Sequence, residues 1–412
     1  MKVILNFIAL IVMASPIVAR ADWPQFRGAT HDGVSTEPMA APWPAEPPLL
    51  WKTDVADGFG SFAIVGDRAF FMIQTKGAEA CCAVELRSGK RIWATNVDKT
   101  ILRSTGGIGP RSTPLIDGQH VYVYSTYLKL ACLDTADGKL VWQHDIASEF
   151  RGQVGTRGIA QYGSACSPIV EGDLVIINGG GPGAAFMAFN KATGELAWKS
   201  GDDLITHATP TPATLGGVRQ AIFFTKSGLA GVDVNDGKIL WRYAMPSQQP
   251  VCASPVVSGD IVYCSAGYSV GAAAMRVTAG GGKFTVNQLW RTANANMNHF
   301  STPVVKDGYL YGIYGSMMQD TAPLECIELA TAKRMWTGPT VGEGEVILVD
   351  GKLVIQGSQG LLILAEVNPA AYKEISRARL LAGRAWGFPA YSNGVLMFRT
   401  DRQIAAVDLS AK

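Results

Sequence analysis

Charged residues are scarce in this chain of 412 residues: Asp, Glu, Lys and Arg make up 17% of it, and the net charge is only +2. Without a basic excess the chain has no electrostatic means of binding nucleic-acid phosphates, so a nucleic-acid partner is not expected. Helical periodicity is almost absent, which disfavours an α-helical fold. Histidine is also rare, and no third ligand accompanies His207 and His299 at a metal-binding spacing, so zinc is not expected.

The first 21 residues have the form of an export signal. An apolar run over residues 3–14 is followed by small residues that end at Ala21, and this pattern predicts cleavage after Ala21. The alternative is a membrane anchor, but Pro16 and Arg20 interrupt the run before it reaches the roughly 18 apolar residues that span a bilayer. No cysteine lies at the cleavage point to carry a lipid. We therefore expect a periplasmic or secreted protein without a stable membrane anchor.

The rest of the chain is built from a repeat of about 45 residues. The clearest unit, from Ala188 to Trp198, predicts a strand, a turn at Gly194 and a second strand that opens on tryptophan. The same frame recurs over residues 83–93, 132–142 and 231–241, and in weaker form over residues 326–336, where Ala332 replaces the glycine. Before each frame stands a Ser/Thr-Pro pair, a short β-branched strand and a Gly/Asp hairpin turn. Each unit therefore predicts four short strands, which is the pattern of a propeller blade.

The number of blades follows from the hairpin turns. They begin at Gly66, Asp117, Gly172, Gly216, Gly259, Asp307, Asp350 and Asn393. Eight turns over residues 49–412 match the repeat length, so the sequence predicts a single all-β fold, an eight-bladed β-propeller with four-stranded blades.

The two ends of the chain predict how the ring closes. The last unit stops after the strand at residues 405–409, and the missing tryptophan strand is supplied early, around Trp51. The N-terminal strand should therefore complete the last blade and leave no open sheet edge. Residues 22–48, with the proline-rich stretch 38–48, are predicted to form an extended strap over the surface. Tyr372 is predicted to replace tryptophan in the seventh blade, with a short helix as the alternative.

One tryptophan per blade is predicted to pack that blade on the next one. These structural residues are Trp51, Trp93, Trp142, Trp198, Trp241, Trp290 and Trp336.

Two motifs resemble a known family. The frame at Ala188–Trp198 resembles the tryptophan-docking repeat of the quinoprotein dehydrogenase-like propellers. The predicted mature start, from Asp22 to Gly28, resembles the start of exported PQQ-like β-propeller proteins that are common in planctomycetes. The resemblance extends from Asp22 to the C-terminus and implies a fold rather than an activity, because propellers carry many unrelated functions.

The quinoprotein dehydrogenases themselves would imply PQQ, calcium and a vicinal disulfide over the channel. Cys81 and Cys82 are adjacent, but they lead directly into the repeat strand, and the Asp-x-Val-Asn-Arg-Gly motif that follows the pair in that family is absent. The seven cysteines, an odd number, exclude complete internal pairing, and most are predicted to be buried thiols. The chain also resembles the scaffold subunit of the outer-membrane assembly machinery, which is a lipoprotein, whereas this leader has no lipobox cysteine.

The loops that enter the innermost strands of a propeller meet at one mouth of its channel, where they predict a funnel. The candidate ligand-binding residues are Arg111, Arg157, His207, Asn298, His299, Glu343, Arg384 and Trp386. Such a funnel suits a small polar ligand or a peptide, and the alternative is a solvated rim.

The sequence therefore predicts an exported, monomeric, non-catalytic propeller that binds or scaffolds a protein partner or a small polar ligand. No catalytic residue, metal site or cofactor is assigned. The alternative function is a PQQ-dependent oxidoreductase with calcium, acting on alcohols or sugars.

Overall fold

The structure is a computed structural model, and it describes residues 22–101, 106–153, 162–249, 251–315 and 321–411. These residues contain 33 strands, one short helix, α1 (Ile146–Phe150), and a 3-10 turn at Ser358–Gly360. The strands form eight sheets, antiparallel except where β1 joins one of them, which confirms the predicted all-β eight-bladed propeller. The predicted leader, residues 1–21, lies outside the described residues.

The first four blades follow the chain in order. Blade 1 comprises β3 (Phe62–Val65), β4 (Arg68–Thr75), β5 (Ala78–Glu85) and β6 (Arg91–Lys99); blade 2 comprises β7 (Leu115–Asp117), β8 (His120–Tyr124), β9 (Lys129–Asp134) and β10 (Leu140–Asp145). Blade 3 comprises β11 (Ile169–Glu171), β12 (Leu174–Gly181), β13 (Ala184–Asn190) and β14 (Leu196–Ser200); blade 4 comprises β15 (Thr211–Leu215), β16 (Val218–Thr225), β17 (Gly228–Asp233) and β18 (Ile239–Ala244).

The last four blades include two strands from the start of the chain. Blade 5 comprises β19 (Val256–Ser258), β20 (Ile261–Ala266), β21 (Gly271–Gly280) and β22 (Lys283–Thr292); blade 6 comprises β23 (Val304–Lys306), β24 (Tyr309–Ile313), β25 (Pro323–Glu328) and β26 (Arg334–Thr340). Blade 7 comprises β27 (Glu345–Val349), β28 (Lys352–Gly357), β29 (Leu361–Glu366) and β30 (Glu374–Arg379), with β1 (Val34–Ser35) added at its inner edge; blade 8 comprises β31 (Ala390–Ser392), β32 (Val395–Arg399), β33 (Gln403–Asp408) and β2 (Leu49–Asp54).

The first strand of each blade is the innermost. First strands of neighbouring blades contact one another in series from β31 through β3 to β27, so they line a central channel. The ring closes within blade 8, where β2 pairs antiparallel with β33 and Trp51 lies opposite Ala406. The N-terminal strand β2 is therefore the outermost strand of blade 8, in which the chain also ends.

The tryptophans link neighbouring blades through their indole nitrogens. In six cases the Nε1–H group donates to a carbonyl oxygen in a turn of the next blade, over 2.8 to 3.1 Å: Trp51 to Leu86, Trp93 to Thr135, Trp142 to Lys191, Trp198 to Val234, Trp290 to Leu329 and Trp336 to Asn368. Trp241 differs, because it donates to Gln220 within its own blade. Blade 5 has lost the Asp-Gly frame whose turn receives the indole elsewhere.

The turn glycines of the frame are needed for this contact. Gly194 has a φ of +78°, and a Cβ atom there would lie 2.8 Å from the ring of Trp142. A side chain at this position would therefore meet both backbone strain and a clash with the docking tryptophan. Ala332, which replaces the glycine in blade 6, adopts the same left-handed region at φ +64°.

The interface between blades 7 and 8 departs from the prediction. Ser376 pairs with Leu364 at the register position that tryptophan occupies in the other blades, while Tyr372 precedes β30 and packs on Trp336. The prediction of Tyr372 as the docking residue was wrong, and residues 371–373 are not helical either. Trp43 fills the place instead: it is buried, and its backbone N–H donates to the Ser376 hydroxyl.

The N-terminal segment, residues 22–48, crosses the channel. Trp23 pairs with Ile64 in blade 1, and at the other end β1 pairs in parallel with β27 in blade 7. Between them the Arg27 guanidinium donates to the carbonyl oxygens of Thr302 and Pro303 in blade 6. Residues 22–35 are therefore a mostly buried, turn-rich plug rather than an extended surface strap.

Apolar side chains fill the spaces between neighbouring blades. All seven cysteines are free thiols, six of them buried and Cys252 half-buried. Across the described part of the chain, no helix has the length and apolar character needed to cross a membrane.

Candidate functional site

Two rings of side chains line the channel where the innermost strands begin. The first, which we call the inner ring, consists of the residues at the Ser/Thr positions of the repeat: Ser61, Thr113, Ser167, Thr209, Ser254, Thr302, Glu345 and Phe388. The second, the mouth ring, lies two residues earlier in each blade: Phe59, Arg111, Ala165, His207, Cys252, Phe300, Glu343 and Trp386. Residues two apart in an extended chain face the same side, so each blade contributes one residue to each ring.

The inner ring is held by hydrogen bonds from blade to blade. The backbone N–H of Ser61 donates to the Thr113 hydroxyl, that of Thr113 to Ser167, and that of Ser167 to Thr209, over 2.9 to 3.1 Å. In blade 7 a carboxylate replaces the hydroxyl, and Glu345 Oε2 accepts from Thr302 N–H at 3.3 Å. Burial raises the pKa of Glu345 well above its ordinary value, against the opposing charge of Arg27.

The mouth ring surrounds a cavity whose empty space, including the part open to solvent, totals about 860 Å³. Phe26 of the N-terminal segment lies at its closed end. Aromatic residues from blades 6, 8 and 1 form one wall, and polar residues from blades 2 to 6 form the other. The lining residues used below are Phe26, Phe59, Arg111, Tyr162, His207, Cys252, Tyr268, His299, Phe300, Glu345, Trp386 and Phe388.

The aromatic wall is centred on Trp386. Its ring stacks on Phe300 with centroids 4.6 Å apart and planes 15° apart, and it also lies 4.6 Å from Phe59. The Arg384 guanidinium lies over the same ring at 4.7 Å and is paired with Asp401. The indole N–H donates to the Glu343 carboxylate. Trp386 is thus covered by side chains of its own chain.

Arg111 is the main charged group of the polar wall. Its Nη1 and Nη2 atoms donate to the carbonyl oxygens of Gly109 and Gly107, at 2.9 and 2.7 Å, and its guanidinium lies 5.2 Å from the Phe59 centroid. Burial lowers the pKa of Arg111 to about 10, so the group remains cationic at neutral pH. Among the residues that the structure describes, no carboxylate lies within ion-pair distance of it.

Two buried histidines and a thiol complete this wall. Burial lowers the pKa of His207 to about 3 and that of His299 to about 4, so both imidazoles are neutral at pH 7. The Nδ1 atoms of both rings are buried and have no hydrogen-bond partner within the described ranges. Burial also raises the pKa of Cys252 to about 12. The thiol is therefore protonated and lacks the thiolate character of a nucleophile.

The structure brings together only part of the predicted funnel. Arg111, His207, His299 and Trp386 line the cavity. Glu343 and Arg384 contact Trp386 from outside the cavity lining.

The remaining predicted residues are Asn298 and Arg157. Asn298 is buried within blades 5 and 6, where its side chain accepts from Tyr263 and donates to the Ile313 carbonyl oxygen. Arg157 lies outside the described residues.

Sequence reasoning missed several lining residues, and the repeat register would have found most of them. Phe59, Cys252 and Phe300 stand two residues before the Ser/Thr position, as Arg111 and His207 do. Their side chains carry no charge, amide or imidazole group, so a search for polar residues at the mouth does not select them. Phe26 and Tyr268 carry no such signal: the first reaches the cavity from the N-terminal segment, and the second from the turn between β20 and β21.

Comparison with known proteins decides the family. The family model described as outer membrane protein assembly factor BamB matches residues 77–338, more than half of the chain. The chain belongs to this family. It is 23% identical over 368 residues to the outer membrane protein assembly factor BamB of Salmonella typhimurium strain LT2, a match that covers 76% of this chain and 87% of that protein.

Solved structures of this BamB family and of the quinoproteins share the fold. BamB from Moraxella catarrhalis is similar with a TM-score of 0.58 and 15% identity, over 86% of this chain and 97% of that one. The quinohemoprotein alcohol dehydrogenase ADHIIG from Pseudomonas putida HK5 gives a TM-score of 0.63 at 11% identity, over 95% of this chain and 81% of that one. These identities support a common fold only.

The quinoprotein fold raises the question of whether this BamB-family chain fits PQQ with calcium. No group of three or more His, Cys, Asp or Glu residues in the described part of the chain is arranged to hold a metal ion. Cys81 and Cys82 lie in β5, the third strand of blade 1, and not at the mouth. The ring of Trp386 is already occupied by Phe300, Phe59 and Arg384. The donor set of this mouth does not fit a calcium-bound quinone.

Proposed function

We propose that this protein is an exported, non-catalytic binding propeller that holds a protein partner at its channel mouth and acts as a scaffold. The observation that carries the proposal is the cavity that the N-terminal segment closes at one end. The blades contribute side chains to this cavity from the same positions of the repeat, and these side chains differ from blade to blade. The relatives are named as an assembly factor, which agrees with a scaffolding role. Export through residues 1–21 is part of the same proposal.

The chemistry of the cavity supports binding rather than catalysis. The Cys252 thiol is protonated, and the two histidines are neutral and have no described carboxylate partner that would make them bases. Catalysis by a nucleophile needs an adjacent activating group. A rigid ring, by contrast, favours binding, because a partner meets a surface that is already ordered and the entropic cost of association falls.

The proposal is tested by photo-crosslinking from single positions in cells. A photoreactive residue replaces Tyr268 at the mouth, and a matched control replaces Lys238, which is exposed in the turn between β17 and β18 at the opposite end of blade 4. We expect one repeatable protein adduct from position 268, none from position 238, and a weaker adduct in the Phe300→Ala background. Adducts of equal yield from both positions, or no adduct from position 268, would contradict the proposal.

The alternative function has its own measurement. The purified protein is incubated with PQQ and calcium and assayed for dye reduction with alcohols and sugars. Stoichiometric quinone uptake with turnover would replace the scaffold by an oxidoreductase.

A further inference from the structure

The polar wall of the cavity contains a half-buried cation, Arg111, that makes no ion pair with any described carboxylate, although the charge of the buried Glu79 acts on it. The hydrogen bonds of Arg111 go to two neutral carbonyl oxygens of its own loop. Arg384, by contrast, is paired with Asp401 at 3.2 Å. Arg27 and Arg399 also donate to carbonyl oxygens alone, but neither lines the cavity. Charges in a protein interior are normally paired. Arg111 therefore presents to the cavity a cation that an anionic ligand can pair with.

The same cavity has a second set of groups without partners. The Nδ1 atoms of His207 and His299 are buried, and each ring is more than nine-tenths buried. Buried polar atoms usually find a hydrogen-bond partner. Because these imidazoles lie in blades 4 and 6, they face the space between them from two sides, with Tyr268 in edge contact with His299 at 4.8 Å.

The remaining wall is largely apolar, although Ser61, Thr113, Thr209 and Glu345 of the inner ring also line the cavity. Phe26 and Phe388 meet edge to face at 5.0 Å at the closed end, and Phe59 and Phe300 flank Trp386. A fully charged or highly hydroxylated ligand would leave its polar groups unpaired against these rings. A ligand with one anionic end and an apolar body satisfies both walls.

We infer that the mouth binds a carboxylate carried on an aromatic or other apolar body, with the carboxylate at Arg111 and the body against Phe300, Phe59 and Phe26. The inference rests on the proposed function, because it specifies what that mouth recognises. A single unpaired cation calls for one carboxylate. The carboxylate can belong to a free small acid or to an acidic side chain next to an apolar one on a protein partner, and the chemistry is the same in both cases.

The decisive experiment compares two probes of equal shape and different charge. Phenylacetate and phenylacetamide are titrated into the full mature protein, and binding is followed by calorimetry or by the NMR signals of the probes. We expect phenylacetate to bind at least tenfold more tightly, a difference of about 1.4 kcal/mol, because a charge-assisted hydrogen bond to Arg111 is made by the acid alone. Equal affinity of the two probes, or no binding of phenylacetate, indole-3-acetate and hexanoate, would overturn the inference.

Two variants assign the effect to the residue. Arg111→Gln is expected to remove the preference for the acid. Arg219→Gln, at an exposed arginine paired with Glu171 at the end of the blades opposite the mouth, is expected to keep it. A preserved preference in Arg111→Gln would contradict the assignment. Thermal unfolding checks that both variants are folded. If Arg111→Gln does not fold, the affinities of the two probes for the unmodified protein still decide whether the mouth prefers a carboxylate.

Competition identifies the source of the carboxylate. If phenylacetate suppresses the crosslinked adduct from position 268, the site binds a carboxylate of the protein partner. If phenylacetate binds without changing the yield of that adduct, the site binds a free acid. Phenylacetate binding in the absence of any adduct would support the site and contradict the scaffold, so the two proposals fail separately.

Discussion

The docking tryptophans and the mouth ring occupy fixed positions of the same repeat, but the first set is nearly uniform and the second is variable. Six tryptophans make the same indole hydrogen bond to the next blade. The eight positions of the mouth ring, by contrast, hold residues as different as Phe59, Arg111 and His207. Positions where the repeats agree hold the fold together, and positions where they differ at a fixed register define the cavity. The predictions below separate these two sets by their effects on stability.

The largest effect is expected for a docking tryptophan. Trp198 is buried, and its indole donates to the Val234 carbonyl oxygen in the next blade. Trp198→Ala should lower the free energy of unfolding by about 3 to 5 kcal/mol, because it leaves a cavity and an unpaired carbonyl oxygen. The half-buried Trp386 of the mouth is the matched control, and Trp386→Ala should cost about 1 to 2 kcal/mol. Equal losses of unfolding free energy in the two variants, measured by chemical denaturation, would contradict the distinction between docking tryptophans and mouth residues.

A smaller but still large effect is expected at Trp43. This residue substitutes for the missing docking tryptophan between blades 7 and 8, but its indole nitrogen has no partner in the described structure. Trp43→Ala should therefore cost about 2 to 4 kcal/mol. Tyr372→Ala, at the half-buried residue that the sequence suggested, should cost less than half as much in the same denaturation experiment. The reverse order would restore Tyr372 to the docking role.

Trp43 also illustrates what the sequence could and could not predict. The fold was predictable because most blades repeat the same docking tryptophan and several repeat the same turn glycine, as at Trp198 and Gly194, so the signal accumulates along the chain. The substitution of Ser376 and Trp43 in blade 7 occurs once, across 333 residues of chain, and has no repeat to reveal it. The same limit applies to the cavity, since Phe26 reaches it only through the path of the N-terminal segment.

The histidines of the mouth are expected to affect the pH dependence of the unfolding free energy rather than the packing of the fold. The pKa of His207 is lowered to about 3 and that of His299 to about 4 by burial. Between those values and pH 6.5 the unfolded chain binds protons that the folded chain does not, so stability falls as the pH falls through this window. Each histidine contributes up to about 1.4 kcal/mol per pH unit.

The measurement is a comparison of unfolding free energies at pH 7.5 and pH 5 for the unmodified protein and for His207→Gln. The variant should lose less stability on acidification, because glutamine takes up no proton in either state. Parallel losses in the two proteins would mean that His207 titrates alike in the folded and unfolded chains.

The smallest effect on stability is expected at Arg111, although its effect on binding is the most specific. The hydrogen bonds of its guanidinium go to the carbonyl oxygens of Gly107 and Gly109, which a glutamine amide also reaches in part, and no described ion pair is broken. Removing a partly desolvated cation that makes no described ion pair also relieves a desolvation cost. Arg111→Gln should therefore change the free energy of unfolding by about 1 kcal/mol or less, in chemical denaturation without ligand. A loss of several kcal/mol would show that the cation is already neutralised within the fold and would place Arg111 with the docking tryptophans.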